Sequence, residues 1–540
     1  MDVRRYKYLV AGEWRESSQP LEVRNPYDGE VVGVTSRPTE RDIEEAISGA
    51  VAVAREMASL PTYRRAEILS RIRSGLIERK EELARAITLE AGKPITDSQT
   101  EADRAVHLFQ LAVEECRRME GELIPLDLLE GAKGRLALTR RFPLGPVLGI
   151  TPFNFPLNLV CHKLAPALAA GNPIIIKPAS ATPLTALILA EIVQGSGIPS
   201  GALSVLPCSG EQAEGMVRDD RLRLLTFTGS GQVGWHLKGM AGKKRVVLEL
   251  GGNAGVIIDE GTDLDYAALR CTYGGYLYSG QTCISLQRIY VHKGVYTAFV
   301  SKLVERVKTL EMGDPMKEGT RIGPLISPEA VGRLEAWVKE AVSQGAKVLT
   351  GGGRPSKLGH YTEGRPSKLG HYTEGRPSKL GHYTEGRPSK SWPKARPASG
   401  GLGHYTEGRP SEFGHYAERF FEPTVLVEVR PEMKVCCEEV FGPLVTVSPF
   451  ESFEQALEGI NQGRYGLQAG VFTRDIQKVF LAYKTLEVGG VMINDVPTFR
   501  ADNMPYGGVK DSGLGREGIR YAIEEMTEPR LLVLNLQENL

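Results

Sequence analysis

Between Gly145 and Gly252, short apolar runs alternate with helical stretches, and this alternation restricts the fold more than any other feature of the 540 residues. The runs Val147–Ile150, Ile174–Lys177, Leu203–Leu206, Leu224–Thr228 and Val246–Leu250 have the length and aliphatic content of strands. Strands apolar on both faces must be covered on both, and the helices between them supply the cover, which predicts a parallel, doubly wound sheet. A second strand–helix texture resumes after Asn253, so the expected fold class is α/β with two such units in succession. A chain of this length also exceeds what one core supports.

Ahead of the alternation, residues 1 to about 36 alternate apolar and polar around Asn25-Pro26 and Asp28-Gly29, predicting an N-terminal β-hairpin. Helical periodicity then runs from Thr39 to about Arg118, broken at Pro61 and Gly92. Lys+Arg and Asp+Glu number 66 each, so no whole-molecule field steers nucleic acid or an anionic membrane to this protein. The opening Met1-Asp2-Val3-Arg4-Arg5-Tyr6 leads into no signal-type apolar segment, and no apolar run approaches a membrane span. Seven cysteines, an odd number without a Cys-x-x-Cys pair, oppose a disulfide framework and a structural zinc site. A cytoplasmic protein without a metal is the expectation.

One stretch departs from globular texture. The eleven residues from Gly353 to Glu363 recur identically at 364–374 and 375–385, followed by an interrupted copy and a degenerate one ending in Gly414-His415-Tyr416. Five of the nine histidines lie here, which suggests metal binding, yet Gly and Pro in every unit and few aliphatics cannot build a core. The segment at about 354–418 is therefore expected to be a solvated insertion without a catalytic part.

The chemistry concentrates on two glycine-bordered residues. Cys283 stands in Gly280-Gln281-Thr282-Cys283, and Glu249 in Glu249-Leu250-Gly251-Gly252, 34 positions earlier (283 − 249 = 34). A thiolate can form an acyl intermediate, and a carboxylate that activates water can clear it. Upstream, Phe227-Thr228-Gly229-Ser230-Gly231-Gln232-Val233-Gly234 places a glycine turn between strand and helix, where backbone N–H groups and the helix dipole suit a phosphate. An ordinary Rossmann turn would carry its ribose-binding acid near Glu249, which the chemistry needs elsewhere. Asn154, between aromatics and prolines in Thr151-Pro152-Phe153-Asn154-Phe155-Pro156, offers an amide donor to an oxyanion, or simply a turn. Lys177 ends an apolar strand, where it can reach a nucleotide. His162 reads as a structural helix residue.

Asn154-Phe-Pro, Lys177-Pro-Ala, Phe227-Thr-Gly-Ser, Glu249-Leu-Gly-Gly, Gly280-Gln-Thr-Cys283 and Glu439-Val-Phe441-Gly-Pro stand in an order and spacing that resembles the NAD(P)-dependent aldehyde dehydrogenase superfamily. The likeness spans the chain except the repeat. Ile493-Asn-Asp and Phe499-Arg500-Ala-Asp-Asn503-Met-Pro505-Tyr-Gly-Gly508 resemble the lactaldehyde, non-phosphorylating glyceraldehyde-3-phosphate and semialdehyde branch. The resemblance implies Cys283 as nucleophile, Asn154 with the Cys283 N–H as oxyanion hole, and Glu249 as general base. It implies cofactor contacts from Thr151, Lys177, Ser180, Gly229, Ser230, Gly234, Leu250, Gly251, Glu439 and Phe441. It also implies a cofactor-binding domain at 1–121 and 143–251, a catalytic domain at 252–526, and a small β arm at 122–142 and 527–540 that builds homodimers or homotetramers.

Specificity turns on departures from the pattern. Ser180 stands where NAD-preferring relatives often carry a glutamate, so NADP is the expected cofactor and NAD the second choice. Arg104 and Arg500 match positions that bind substrate phosphate in the glyceraldehyde-3-phosphate enzymes, but Thr282 and Phe155 replace an arginine and a tyrosine of that site. A short polar aldehyde is the expected substrate. Glu249 disfavours the alternative of a coenzyme A-acylating semialdehyde dehydrogenase, and its coexistence with Cys283 and Asn154 disfavours a non-catalytic structural protein on the same fold.

Overall fold

The computed structural model describes residues 3–355 and 416–536. Nearly all of the repeat, with its expected insertion and metal reading, lies outside the described residues.

The N-terminal segment forms two hairpins where one was expected. Strands β1 (Tyr8–Val10) and β2 (Glu13–Arg15) pair antiparallel, as do β3 (Pro20–Arg24) and β4 (Val31–Ser36). Four helices follow, α1 (Glu40–Ser59), α2 (Thr62–Glu78), α3 (Lys80–Ala91) and α4 (Ile95–Arg117). Their ends follow from local chemistry. Thr39 and Asp42 close a reciprocal capping box at the start of α1, and Gly92 at φ 67° terminates α3 in the left-handed conformation.

After β5 (Leu123–Pro125) and β6 (Arg135–Pro143), the expected alternation appears as β7 (Val147–Ile150), α5 (Asn158–Ala170), β8 (Ile174–Lys177), α6 (Leu184–Gln194), β9 (Leu203–Val205), α7 (Gly210–Arg218), β10 (Leu224–Thr228), α8 (Gly231–Met240) and β11 (Arg245–Glu249). The first sheet runs β2-β1-β9-β8-β7-β10-β11 and ends on Gly513–Leu514. Its strands from β9 to β11 are parallel neighbours, flanked by antiparallel edges. Every residue of α5 is buried, as a helix between the sheet and α4 must be.

The second sheet contains β12 (Ala254–Ile258) and, beyond α9 (Leu264–Tyr276), β13 (Leu286–His292). Its order is Lys347–Thr350, Thr424–Val427, Leu444–Phe450, β13, β12, Gln468–Phe472 and Gly490–Ile493. All neighbours are parallel except the first pair. Mixed α/β architecture with two mainly parallel sheets is thus the fold class. Near its end the chain returns to the first unit. Gly513–Leu514 joins that sheet, and Ile519, Ile523 and Met526 enter the first core. The strand Thr527–Asn535 then pairs with β6 along its length, and β5 completes a three-stranded sheet. No helix among the described residues is long and apolar enough to cross a membrane.

A buried ion pair ties the helical segment to the first sheet. Lys93 and Glu101 bond directly, with side chains 1% and 0% exposed. Glu101 Oε1 also accepts from the Leu157 and Asn158 backbone N–H groups at 3.0 Å each, a negative charge at the α5 N-terminus. Lys93 Nζ lies 3.7 Å from the Phe155 ring centroid. Lys93→Met should therefore strand a buried carboxylate and cost about 3–5 kcal/mol, read as a lowered thermal midpoint; a midpoint within a degree of wild type would contradict this.

Candidate active site

The carboxyl ends of the first sheet's parallel strands carry several of the candidates. Thr151 follows β7, Lys177 ends β8 and Glu249 ends β11, with Thr228 opposite Glu249 in register. This is the edge where open parallel sheets bind ligands. Cys283 comes from the other unit, on the loop between α9 and β13.

That loop holds strain. Tyr278, Ser279 and Gly280 have φ of 48°, 54° and 71°, and two of the three have side chains that disfavour this region. A Cβ on Gly280 would meet the Gly442 carbonyl oxygen at 2.1 Å, so only glycine fits. Buried hydrogen bonds hold the shape. Tyr278 Oη donates to the Ala91 carbonyl at 2.8 Å, Ser279 Oγ to the Gly323 carbonyl at 2.9 Å, and Gln281 Oε1 accepts from Ile326 N at 3.0 Å. The loop presents Cys283 to a cavity of about 530 Å³ whose lining includes Phe155, Asn158, His162, Thr282 and Tyr506. Burial pushes the Cys283 thiol up to about 11, opposed by its hydrogen bond to Tyr506 and by the Arg500 charge.

Asn154 and Glu249 converge on this loop. Asn154 Nδ2 donates to the Gln281 carbonyl at 2.9 Å, which leaves its second N–H for another acceptor. Both Glu249 carboxylate oxygens are buried without a hydrogen-bond partner. Burial, then the neighbouring Glu517 charge, raises Glu249 well above the carboxylate range, while Arg500, Lys163 and Arg516 oppose. Burial also acts on Glu517, but Lys163, Arg500 and His162 outweigh it and hold that group down to about 2. Two glycines permit the convergence. A Cβ on Gly252 would meet the Cys283 carbonyl oxygen at 2.6 Å, and one on Gly507 would meet Glu249 Oε1 at 2.7 Å.

The residues proposed for a nucleotide cofactor fit one. Ser230 Oγ caps α8 by accepting from Val233 N, at the helix end where phosphate binds best. Gly234 lets Leu250 pack against α8, since a Cβ would lie 2.4 Å from its Cδ2; Gly229 has the same relation to Phe227. Thr151 Oγ1 is buried without a partner. Glu439 accepts from Gly252 N at 3.1 Å, and burial raises it to about 7. A Cβ on Gly251 would overlap the Glu439 carboxylate at 2.2 Å. Phe441 adopts φ 47° and packs edge-on to Phe153. Lys177, lowered by burial, donates only weakly, to the Pro178 carbonyl at 3.3 Å. Ser180, partly buried, completes the Lys177-Pro178-Ala179-Ser180 segment.

Arg104 and Arg500 both line the cavity, and both are already paired. Arg104 bonds Asp502, and Arg500 Nη2 donates to Glu517 Oε2 at 3.1 Å. His162 sits between Asp502 Oδ1 at 3.1 Å and Arg500 Nη2 at 3.2 Å. Lys163 Nζ donates to Thr226, Thr228 and Glu517. The remaining cysteines are elsewhere. Cys436 and Cys437 lie on a short helical turn, Lys434–Cys437. Sequence reasoning missed Lys163, Glu517 and Tyr506. The segment Pro505-Tyr-Gly-Gly508 was noticed, but nothing in its spacing shows that the tyrosine faces the thiol.

Comparison with known proteins identifies the family. The aldehyde dehydrogenase family model matches residues 14–364 and 397–532. The chain belongs to the aldehyde dehydrogenase family. It is 39% identical over 535 residues to the 3-sulfolactaldehyde dehydrogenase of Priestia aryabhattai, covering 99% of each chain. It is 35% identical to the lactaldehyde dehydrogenase of Methanococcus aeolicus, covering 98% of this chain and 99% of that one. Among solved structures, aldehyde dehydrogenase 21 from Physcomitrella patens, in complex with the reaction product succinate, superposes with a TM-score of 0.87 at 40% identity and covers 100% of both chains. The glyceraldehyde-3-phosphate dehydrogenase GapN of Methanocaldococcus jannaschii, complexed with NADP, gives a TM-score of 0.81 at 34% identity over 96% of this chain and 99% of that one. The protein is therefore an NAD(P)-dependent aldehyde dehydrogenase, of the branch that its sequence resembles.

Proposed function

We propose that this aldehyde dehydrogenase oxidises a short polar aldehyde to its carboxylic acid through a thioester on Cys283 that water hydrolyses. The Cys283 thiolate attacks the aldehyde carbon. The free N–H of Asn154, with the Cys283 backbone N–H, takes the oxyanion. The β7–β11 strand ends, the α8 N-terminus and Glu439 would hold NAD(P), which would supply the hydride acceptor for the oxidation. Glu249 then draws a proton from water, which attacks the thioester carbonyl, and Cys283 leaves as thiolate. The observation that carries the reading is the buried Glu249 carboxylate with two unpartnered oxygens. Such a group is costly to bury, and it makes sense as a base waiting for water.

Glu249→Gln should keep a single-turnover burst of reduced cofactor and lose about 10²–10⁴ of the steady-state rate. Retained steady-state turnover would sink the assignment. Glu249 must be ionised to act, and burial raises it, so hydrolysis-limited turnover should increase with pH along a limb above the ordinary carboxylate range.

The substrate reading rests on polar groups at the cavity that have no partner. The Asn158 amide and the Thr282 hydroxyl are buried without hydrogen bonds, as is Arg500 Nε. They suit an aldehyde with a hydroxyl or a single small anionic group. The pairing of Arg104 and Arg500 with carboxylates argues against a dianionic phosphate. Relatives named for 3-sulfolactaldehyde and lactaldehyde, and the succinate complex, support the same class. Ser180 brings no acid to the ribose side, which favours NADP over NAD. A rate panel of lactaldehyde, glyceraldehyde, a carboxylate semialdehyde, propanal and benzaldehyde, with both cofactors, tests both points. Propanal as the best substrate, or a lower Michaelis constant for NAD than for NADP, would refute the respective reading.

The unit boundaries carry the same functional division: the first sheet binds cofactor, the second supplies the nucleophile, and the three-stranded sheet is the oligomerisation arm. Leu531, Leu532 and Val533 on its last strand are 58%, 50% and 45% exposed, apolar surface that a homodimer or homotetramer would cover. A single-chain mass by light scattering would refute this. Seven unpaired cysteines suit a reducing cytoplasm.

A further inference from the structure

Tyr506 is the one side chain that hydrogen-bonds the Cys283 sulfur among the described residues. Its Oη lies 3.0 Å from Sγ, and Cys283 is likewise the partner of that hydroxyl. The phenol is buried, at 3% exposure, and fixed from three sides. Its backbone bridges Glu517 in both directions, its ring packs with Ile284 and Leu467, and the Arg500 guanidinium stacks on the ring at 3.7 Å from the centroid. The next residue, Gly507, is the one whose missing Cβ lets Glu249 approach. One short segment thus sets a hydroxyl against the nucleophile and a gap beside the base.

We propose that Tyr506 is a catalytic residue that donates a hydrogen bond to the Cys283 thiolate before attack and during thiolate release. This rests on the reading of Cys283 as nucleophile. The tyrosine keeps its proton throughout. No proton passes between the two groups: the hydrogen bond strengthens when sulfur carries negative charge and weakens when sulfur is bonded to carbon. A donor that strengthens with charge on the reacting atom lowers the cost of forming that charge in a buried site.

The surroundings suit the assignment. Burial raises the phenol well above its ordinary value, so it remains a donor across the working pH range, with Arg500 opposing. The charged groups acting on the sulfur are Arg500, which favours the thiolate, and Glu249 and Glu439, which disfavour it. Arg500 is itself flanked by the Glu517 and Asp502 carboxylates, so its charge is partly offset. Tyr506 provides the direct polar side-chain contact to the sulfur among the described residues.

The test is the pH dependence of iodoacetamide labelling of the full-length enzyme, followed by mass spectrometry on the peptide that carries Cys283. The alkylation rate reports the thiolate. Tyr506→Phe removes one oxygen and keeps the ring that Arg500 stacks on. It should move the pH of half-maximal labelling upward by about one and slow labelling at pH 7 about ten-fold. Turnover should fall in step, with the thermal midpoint unchanged. Site-specific 3-fluorotyrosine at 506, a more acidic phenol of the same shape, should move the profile downward, and serves if the phenylalanine variant does not fold. A labelling profile unchanged in either folded variant overturns the inference while leaving Cys283 as nucleophile. Undiminished turnover in Cys283→Ala would instead overturn the reading on which it rests.

Discussion

The site depends on how closely two backbones approach at Gly251 and Gly252. β11 delivers Glu249 from the first sheet, and three residues later the chain has begun its crossing to the second. Within that span Gly251 leaves room for the Glu439 carboxylate, and Gly252 admits the Cys283 backbone carbonyl at a separation where a side chain would force the backbone to move. Ser512 clamps the same span, with its Oγ donating to the Gly251 carbonyl at 2.8 Å and its own carbonyl accepting from Leu250 N at 3.0 Å. Glu249, Glu439 and the Cys283 loop therefore meet around two residues without side chains. The steric constraint sets the chemistry's geometry before any polar contact is counted.

A second layer of organisation is electrostatic. Beside the cavity, Lys163, Glu517, Arg500, His162, Asp502 and Arg104 form a hydrogen-bonded chain in which His162 joins the Arg500 guanidinium to the Asp502 carboxylate. Each buried charge has an opposite neighbour, as burial demands. Glu249 stands apart, near these charges but bonded to none of them. The paired charges are held in place by their partners, while both Glu249 oxygens are left without one.

Strand positions were legible because aliphatic runs bounded by Gly and Pro have one physical interpretation. Val147–Ile150, Ile174–Lys177 and Leu224–Thr228 occupy the strands expected of them. The N-terminal pairing was less so: alternation marks strands, but their partners depend on distant residues such as Val205, which pairs with Leu9. Motif glycines signalled that something approached closely, not what. That Gly251 faces Glu439 and Gly507 faces Glu249 follows from contacts across 188 and 258 positions (439 − 251 = 188; 507 − 249 = 258). Tyr506 was invisible for the same reason, since its partner lies 223 residues away.

The return of residues 513–526 to the first sheet and core bears on how the chain is made. Leu248 and Glu249 find their antiparallel partners at Leu514 and Gly513, and Asn172 donates to the Met526 carbonyl at 2.9 Å. A unit whose strands are otherwise complete by Glu249 thus lacks an edge and a covering helix until the last part of the message is translated. During synthesis this exposed parallel sheet has to wait, carrying apolar surface of the kind that aggregates and that chaperones hold. The enzyme's first-made half is finished last.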